Sequence, residues 1–337
     1  MTTAEQTTLS SVTPGPIIQL AMGFMASKHL FVANEIGLFQ CLAAGPATLD
    51  ELAQRTGVPR RTVRISVDAM VALGLVERHG DQYQNGPVAA AYLSGEGPAD
   101  MRPALRFFNR ISYQTWGQLE EAIRSGQAPN RQGGGFSAED QRIFSEGVEA
   151  FSAGPAGALA ARYAFSTHHR VLDLGGGTGS FLLRVLRQHA GLQGTLFELA
   201  GAAAVARQRL AREPEGARVE VVVGDFFTNP LPAGHDAIIV ANILHLFLPE
   251  QNRDVLKKTR AAVTEGARLL IVDLLTDPTH TQPVGAALMA GEFLVIAGHG
   301  DVYSDAEVRG WLQETGWRPG ETKPLAGPTS LLVAEAI

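Results

Sequence analysis

From residue 170 onward the hydrophobic positions alternate between two periods. Short apolar runs at Val171–Leu174, Thr195–Leu199, Val219–Val223, Ala237–Val240, Ala267–Leu274 and Thr329–Glu335 read as strands. Between them, apolar residues spaced three and four apart mark helices near Ser180–His189, Ala202–Glu213, Pro249–Val263 and Asp305–Thr315. That alternation predicts an α/β fold, a parallel sheet with helices on both faces. The N-terminal part reads differently. Over residues 14–44 the apolar positions Ile17, Leu20, Phe24, Phe31, Ile36 and Phe39 leave few sides polar. Such a segment is expected to pack against another chain or to be deeply buried. A second amphipathic helix, Thr62–Leu73, leads to a two-strand wing that turns at Gly80-Asp81. Helix, turn, helix, wing is a winged-helix pattern. Residues 101–165 are helical again, interrupted at Pro129–Gly135, where a glycine triplet predicts a surface loop. The chain therefore divides into 1–100, a helical winged-helix region, 101–165, a helical linker and pocket segment, and 166–337, an α/β domain.

The first predicted strand of the α/β domain carries the chemistry. Val171-Leu172-Asp173-Leu174 runs into Gly175-Gly176-Gly177-Thr178-Gly179 and then a helical pattern. Glycines at a strand-to-helix turn let backbone approach a ligand as no side chain would permit. The next strand ends at Glu198, where a βαβ nucleotide site places an acid against ribose hydroxyls. A dinucleotide fingerprint needs a third glycine at the position of Ser180, and no Gly-Lys-Ser/Thr follows for a phosphate loop. No Lys or Arg lies within the loop to meet a pyrophosphate, and the acidic Asp173 precedes it. An acidic, phosphate-free cradle suits S-adenosylmethionine, which carries a sulfonium and an ammonium.

Composition narrows the setting. The 337 residues have 45% hydrophobic and 18% charged content and a net charge of −6, which argues against non-specific nucleic-acid binding. Arg60, Arg61 and Arg64 on the second helix would be the readers if the winged helix bound DNA. Asp50, Glu51, Asp68, Glu77 and Asp81 offset them, and a dimerisation platform is the better reading. The one cysteine, Cys41, permits no internal disulfide and fits a reducing cytoplasm. No secretory signal, no uncharged run of membrane-spanning length and no metal-ligating constellation stands out.

These segments, with Gly224-Asp225-Phe226-Phe227, Ile243-Leu244-His245, Gly266–Asp273 and Tyr303–Glu307, resemble the S-adenosylmethionine-dependent small-molecule O-methyltransferases, the bacterial relatives of the plant caffeic acid and acetylserotonin type. The resemblance spans nearly the whole chain. It implies a Rossmann-like domain with a mixed seven-stranded sheet, preceded by a winged-helix dimerisation domain, and a homodimer. It implies Asp173, Gly175, Gly177 and Glu198 around the methionine and ribose, Asp225 and Phe226 at the adenine, and Asn242 beside them. It makes His245 the general base, with Asp273 as the acid that orients it. Val302 stands where relatives carry a second acid, so Asp301 is the candidate substitute. Leu246-Phe247 replaces the usual Asp-Trp, and Ala241-Asn242 replaces a common cation. Trp116, Phe136, Phe144, Met289 and Phe293 are candidate walls for an apolar or aromatic acceptor. The expected reaction is methylation of a hydroxyl on an aromatic or polyketide-like molecule. Methylation at carbon, or loss of methyl transfer on the same fold, is the alternative.

Overall fold

The structure is a computed structural model that describes residues 13–97, 99–127, 137–298 and 300–337. Its contacts divide the chain between Asn109 and Arg110. Phe136 and the whole glycine-rich interruption, residues 129–135, lie outside the described residues.

In the first unit, α1 (Gly15–Glu35) is followed by Gly37 in the left-handed region, φ 72°, which turns the chain into α2 (Leu38–Ala43). The long helical pattern is thus two helices, because the turn needs a residue without Cβ. Strand β1 (Ala47–Thr48) ends at a capping box in which Thr48 and Glu51 satisfy each other's backbone N–H and open α3 (Leu49–Thr56). Helix α4 (Arg60–Ala72) precedes the wing, β2 (Val76–His79) and β3 (Gln82–Asn85), and β1 joins them in the order β1-β3-β2. Helices α5 (Pro87–Tyr92) and α6 (Arg102–Phe107) complete the unit. Leu38, Phe39, Leu52, Val63, Val67 and Met70 form its fully buried centre. The start of α1 is left uncovered, with Ile17 72%, Leu20 82% and Phe24 53% exposed. Among the described residues α1 is the one helix long and apolar enough to cross a membrane by length and composition.

The second unit opens with short helical pieces, a π turn (Phe108–Ser112), α7 (Tyr113–Thr115) and α8 (Leu119–Ser125), and continues in the long α9 (Ala138–Arg162). Then comes the α/β alternation: β4 (Arg170–Leu174), α10 (Ser180–Gln188), β5 (Gln193–Glu198), α11 (Ala200–Leu210), β6 (Val219–Val223), β7 (Ala237–Ala241), α12 (Pro249–Ala261), β8 (Arg268–Leu274), α13 (Val284–Ala297), α14 (Asp305–Glu314), β9 (Trp317–Ala326) and β10 (Thr329–Ala336). The sheet is mixed and seven-stranded, as expected, in the order β6-β5-β4-β7-β8-β10-β9. Strands β4 to β8 are parallel, and β10 runs antiparallel to both β8 and β9.

Two elements escaped the sequence reading. Strand β9 carries Pro319, Gly320 and Pro324 and alternates poorly, yet it is an edge strand, where a missing N–H does no harm. Helix α13 is apolar on nearly every side and has no polar stripe to reveal its period. Two apolar clusters flank the sheet, one around Leu182, Leu186 and Leu196, the other around Leu172, Phe197 and Trp317. The chain order reverses between β4 and β7, which opens a crevice at their carboxyl ends. Leu172 is 0% exposed on central strand β4, so Leu172→Ala is expected to cost about 2–5 kcal/mol of unfolding free energy in a urea titration, with the slope unchanged.

Candidate functional site

The crevice is lined first by the loop after β4. Gly175, Gly177 and Gly179 have φ of 65°, 58° and 85°, a conformation that side chains resist. A Cβ on Gly175 would lie 2.7 Å from Ile243 Cδ1, and one on Gly176 would lie 2.3 Å from the Asp173 carboxylate. A Cβ on Gly177 would meet nothing within 4 Å, so the loop faces open space there. The Gly177 N–H donates to Glu198 Oε2 at 2.9 Å, and the Leu199 N–H donates to Glu198 Oε1 at 2.7 Å. The acid at the tip of β5 therefore braces the glycine loop.

Asp173 lies beneath the loop, 0% exposed, and neither carboxylate oxygen has a hydrogen-bond partner. Burial, aided by the nearby Glu198 charge, pushes its carboxyl up to about 7. Two groups reach the loop from elsewhere. Glu149 on α9 accepts from Thr178 Oγ1 at 3.0 Å and, closely, from Ser180 Oγ, and pairs with Arg209 of α11 at 2.8 Å. Arg209 donates in turn to Thr178 Oγ1 at 2.7 Å and Ser180 Oγ at 2.8 Å. Burial opposes ionisation of Glu149, but Arg209 and the hydroxyls outweigh it and hold its carboxyl below the usual range. Asn242, itself at φ 57°, donates from Nδ2 to Ser152 Oγ at 3.3 Å, a second tie between α9 and the crevice.

The loop after β6 forms the far wall. Asp225 Oδ1 accepts from the Phe227 N–H at 2.8 Å. Phe226, Phe227 and Phe247 pack edge to face, with centroids 4.8, 5.7 and 4.9 Å apart. Lys258 of α12 holds this wall by donating to the Phe226 carbonyl at 2.7 Å and, closely, to that of Phe227. Gly224 must be glycine, since a Cβ would sit 2.5 Å from the Phe197 ring.

His245 lies in the short 3₁₀ turn (Leu244–Leu246) just beyond β7, with its side chain 9% exposed. Its Nδ1 is 2.6 Å from Asp273 Oδ1 at the end of β8. Asp273 is 1% exposed and also accepts from the Leu244 N–H at 3.0 Å and the Leu274 N–H at 2.8 Å. A carboxylate can only accept, so the proton sits on Nδ1 and the Nε2 lone pair is left available. Phe293 of α13 stacks on the imidazole, centroids 3.9 Å apart and planes 13° apart. Asp301 approaches differently from the expected orienting acid. Its N–H donates to the His245 carbonyl at 3.1 Å, while its exposed carboxylate accepts from the Val302 N–H at 2.7 Å.

Of the expected acceptor walls, Met289 and Phe144 are half-buried on α13 and α9. Trp116, 36% exposed, lies against Gly291, and its indole N–H donates closely to Glu292. Glu292, 3% exposed, also accepts from Ser112 Oγ at 2.7 Å, and burial pushes its carboxyl up. Sequence reasoning missed Glu149, Arg209, Lys258 and Glu292. Each is a common charged residue on a helix, and nothing local announces its partner. Asn252 was missed too: it is wholly buried and donates to the Leu244 carbonyl at 2.9 Å, fixing the turn that holds His245.

Comparison with known proteins identifies the family. Residues 116–318 match the O-methyltransferase domain, and residues 18–95 match the O-methyltransferase dimerisation domain. The chain is 36% identical to 3-hydroxy-5-methyl-1-naphthoate 3-O-methyltransferase of Streptomyces sahachiroi over 94% of this chain and 92% of the relative. It is 32% identical to the tetracenomycin polyketide synthesis 8-O-methyl transferase TcmO of Streptomyces glaucescens, over 95% of this chain and 96% of the relative. Among solved structures, the S-adenosylmethionine-dependent methyltransferase SibL superposes with a TM-score of 0.81 at 30% identity, over 96% of this chain and 99% of that one. The chain belongs to the O-methyltransferase family, and it is an enzyme that uses S-adenosylmethionine. The residues present fit that cofactor: carboxylates, hydroxyls and aromatic faces line the crevice, and the one cation named at the loop, Arg209, is already paired with Glu149.

Asp173 yields a pH prediction. An aspartate titrates near 3.9 in an unfolded chain, and here near 7 when folded. Its ionisation therefore lowers ligand-free stability as pH rises from about 4 to about 7, and the loss is complete above that. In thermal unfolding, Asp173→Asn should improve relative to the parent on going from pH 5 to pH 8. A constant difference across that range would exclude the shift.

Proposed function

We propose that this enzyme methylates a hydroxyl of an aromatic or polyketide-like small molecule in natural-product biosynthesis, with His245 as general base. The observation that carries this is the 2.6 Å contact between buried Asp273 and His245 Nδ1, which fixes the tautomer and reserves Nε2 for the acceptor. A neutral phenol is a poor nucleophile, and Nε2 of His245 takes its proton in concert with methyl transfer. Bound S-adenosylmethionine supplies the methyl electrophile at its sulfonium. The chain's own residues bind and orient. Gly175, Gly177 and Asp173 serve the methionine part, Glu198 the ribose, and Asp225 and Phe226 the adenine, with Asn242 completing that side. Phe293 stacked on His245, with Met289, Phe144 and Trp116, supplies apolar faces for a planar acceptor. Asp301 acts through its backbone, tethering the His245 carbonyl, and Asp273 alone orients the ring. The naphthoate and tetracenomycin enzymes, named for aromatic hydroxyl methylation, support this acceptor class.

We read the apolar start of α1 as half of a homodimer interface, because residues 18–95 match a dimerisation domain and Ile17, Leu20 and Phe24 stand exposed. Arg60 and Arg64 are paired with Asp50 and Asp68 at 2.6 and 3.0 Å, which supports assembly over DNA reading in this winged helix. The single cysteine supports a cytoplasmic location.

The test is a panel of hydroxynaphthoates and polyphenols incubated with S-adenosylmethionine. One added methyl is expected by mass, and a methoxy carbon by NMR. A new C-methyl signal would instead establish carbon methylation. His245→Ala should lower turnover about 10²–10⁴-fold while calorimetry finds unchanged affinity for S-adenosylhomocysteine. Undiminished turnover removes His245 as the base. For assembly, Leu20→Glu with Phe24→Glu should convert a dimer to a monomer by light scattering, and a parent protein already monomeric at micromolar concentration contradicts the interface.

A further inference from the structure

Glu149 holds an unusual place. In a βαβ nucleotide fold the start of the helix after the glycine loop is where a ligand phosphate sits, drawn by the helix dipole and often by an arginine. Here α10 begins at Ser180, whose hydroxyl, with that of Thr178, donates to a carboxylate of the protein itself. That carboxylate also covers Arg209, the cation that reaches Thr178 and Ser180. The arginine comes from α11 and the acid from α9, so three helices converge on a loop whose only local signal was its glycines. Next to it, Ser152 on the same face of α9 takes Asn242.

We propose that Glu149 is a resident anion that fills the phosphate seat of this fold, neutralises Arg209, and clamps α9 onto the cofactor loop, so that the crevice accepts an adenosyl sulfonium and refuses phosphorylated nucleotides. It is a positioning and specificity residue, and it rests on the reading of the crevice as the S-adenosylmethionine site. Glu149→Gln keeps the size of the side chain and one acceptor oxygen, but it removes the charge that balances Arg209. The uncovered guanidinium and the α10 N-terminus then present an anion site.

The experiment uses the full-length protein. Calorimetry with S-adenosylhomocysteine on the parent protein checks the crevice reading independently, since absence of binding there would count against that reading and not against Glu149. With parent binding established, Glu149→Gln is expected to bind S-adenosylhomocysteine about 10-fold more weakly. Inorganic pyrophosphate, which leaves parent melting unaffected, is expected to stabilise Glu149→Gln. Adding Arg209→Met to that variant should abolish the pyrophosphate response. A merely structural role for Glu149 would produce no anion response. Unchanged S-adenosylhomocysteine affinity in Glu149→Gln, or indifference of that variant to pyrophosphate, overturns the proposal.

Discussion

Everything at the bottom of the crevice is referred to one buried carboxylate. Asp273 ends β8, the strand beside β7, and accepts from the Leu244 N–H, the Leu274 N–H and His245 Nδ1. A carboxylate taken out of water must be met by donors or neutralised, because desolvation alone costs several kcal/mol. Here the donors come from the two strand ends themselves. The same contacts that make Asp273 tolerable fix the turn after β7, and with it the ring plane and tautomer of His245. Asn252 and the Asp301 N–H complete the tether by holding the carbonyls of Leu244 and His245. The imidazole is thus immobilised from its backbone, its Nδ1 and its Phe293 face, which leaves Nε2 as its remaining ring nitrogen.

Asp173 presents the opposite solution. It is equally buried at the end of β4, but no donor meets it, and its ionisation is suppressed. Gly176 is excluded from bearing a side chain by that very carboxylate. An uncompensated acid under an open loop is poor for ligand-free stability and well suited to a cationic ligand. The two aspartates share a strand position and differ in partners: one is satisfied by two backbone N–H groups and an imidazole, the other lies unpartnered beneath the glycine loop. Glu149 is a third case, an acid paired within the protein before any ligand arrives.

Much of the fold was legible because period and punctuation agreed. The strands β4 to β8 are nearly continuous apolar runs, as parallel strands covered on both faces must be. The glycine loop pointed to a nucleoside cofactor, since close backbone approach requires glycine, and the family's use of S-adenosylmethionine agrees. What escaped was of two kinds. Strand β9 and helix α13 lack the alternation or polar stripe that marks their type, one being an edge and the other apolar all round. Glu149, Arg209, Lys258 and Glu292 look like ordinary surface charges until their partners, distant in sequence, are brought beside them.

The sequence by itself determined the alternation of strands and helices and the acidic glycine loop, because these depend on local periodicity and on residue types that few other roles tolerate. Only the tertiary structure decided which acid serves which purpose. Asp273 faces His245 while Asp301 turns to Val302, and Glu149 meets Arg209 rather than water. Those outcomes depend on the register of neighbouring strands and the placement of α9 over the loop. Hydrogen-bond partners chosen across the fold leave no trace in the spacing of residues along the chain.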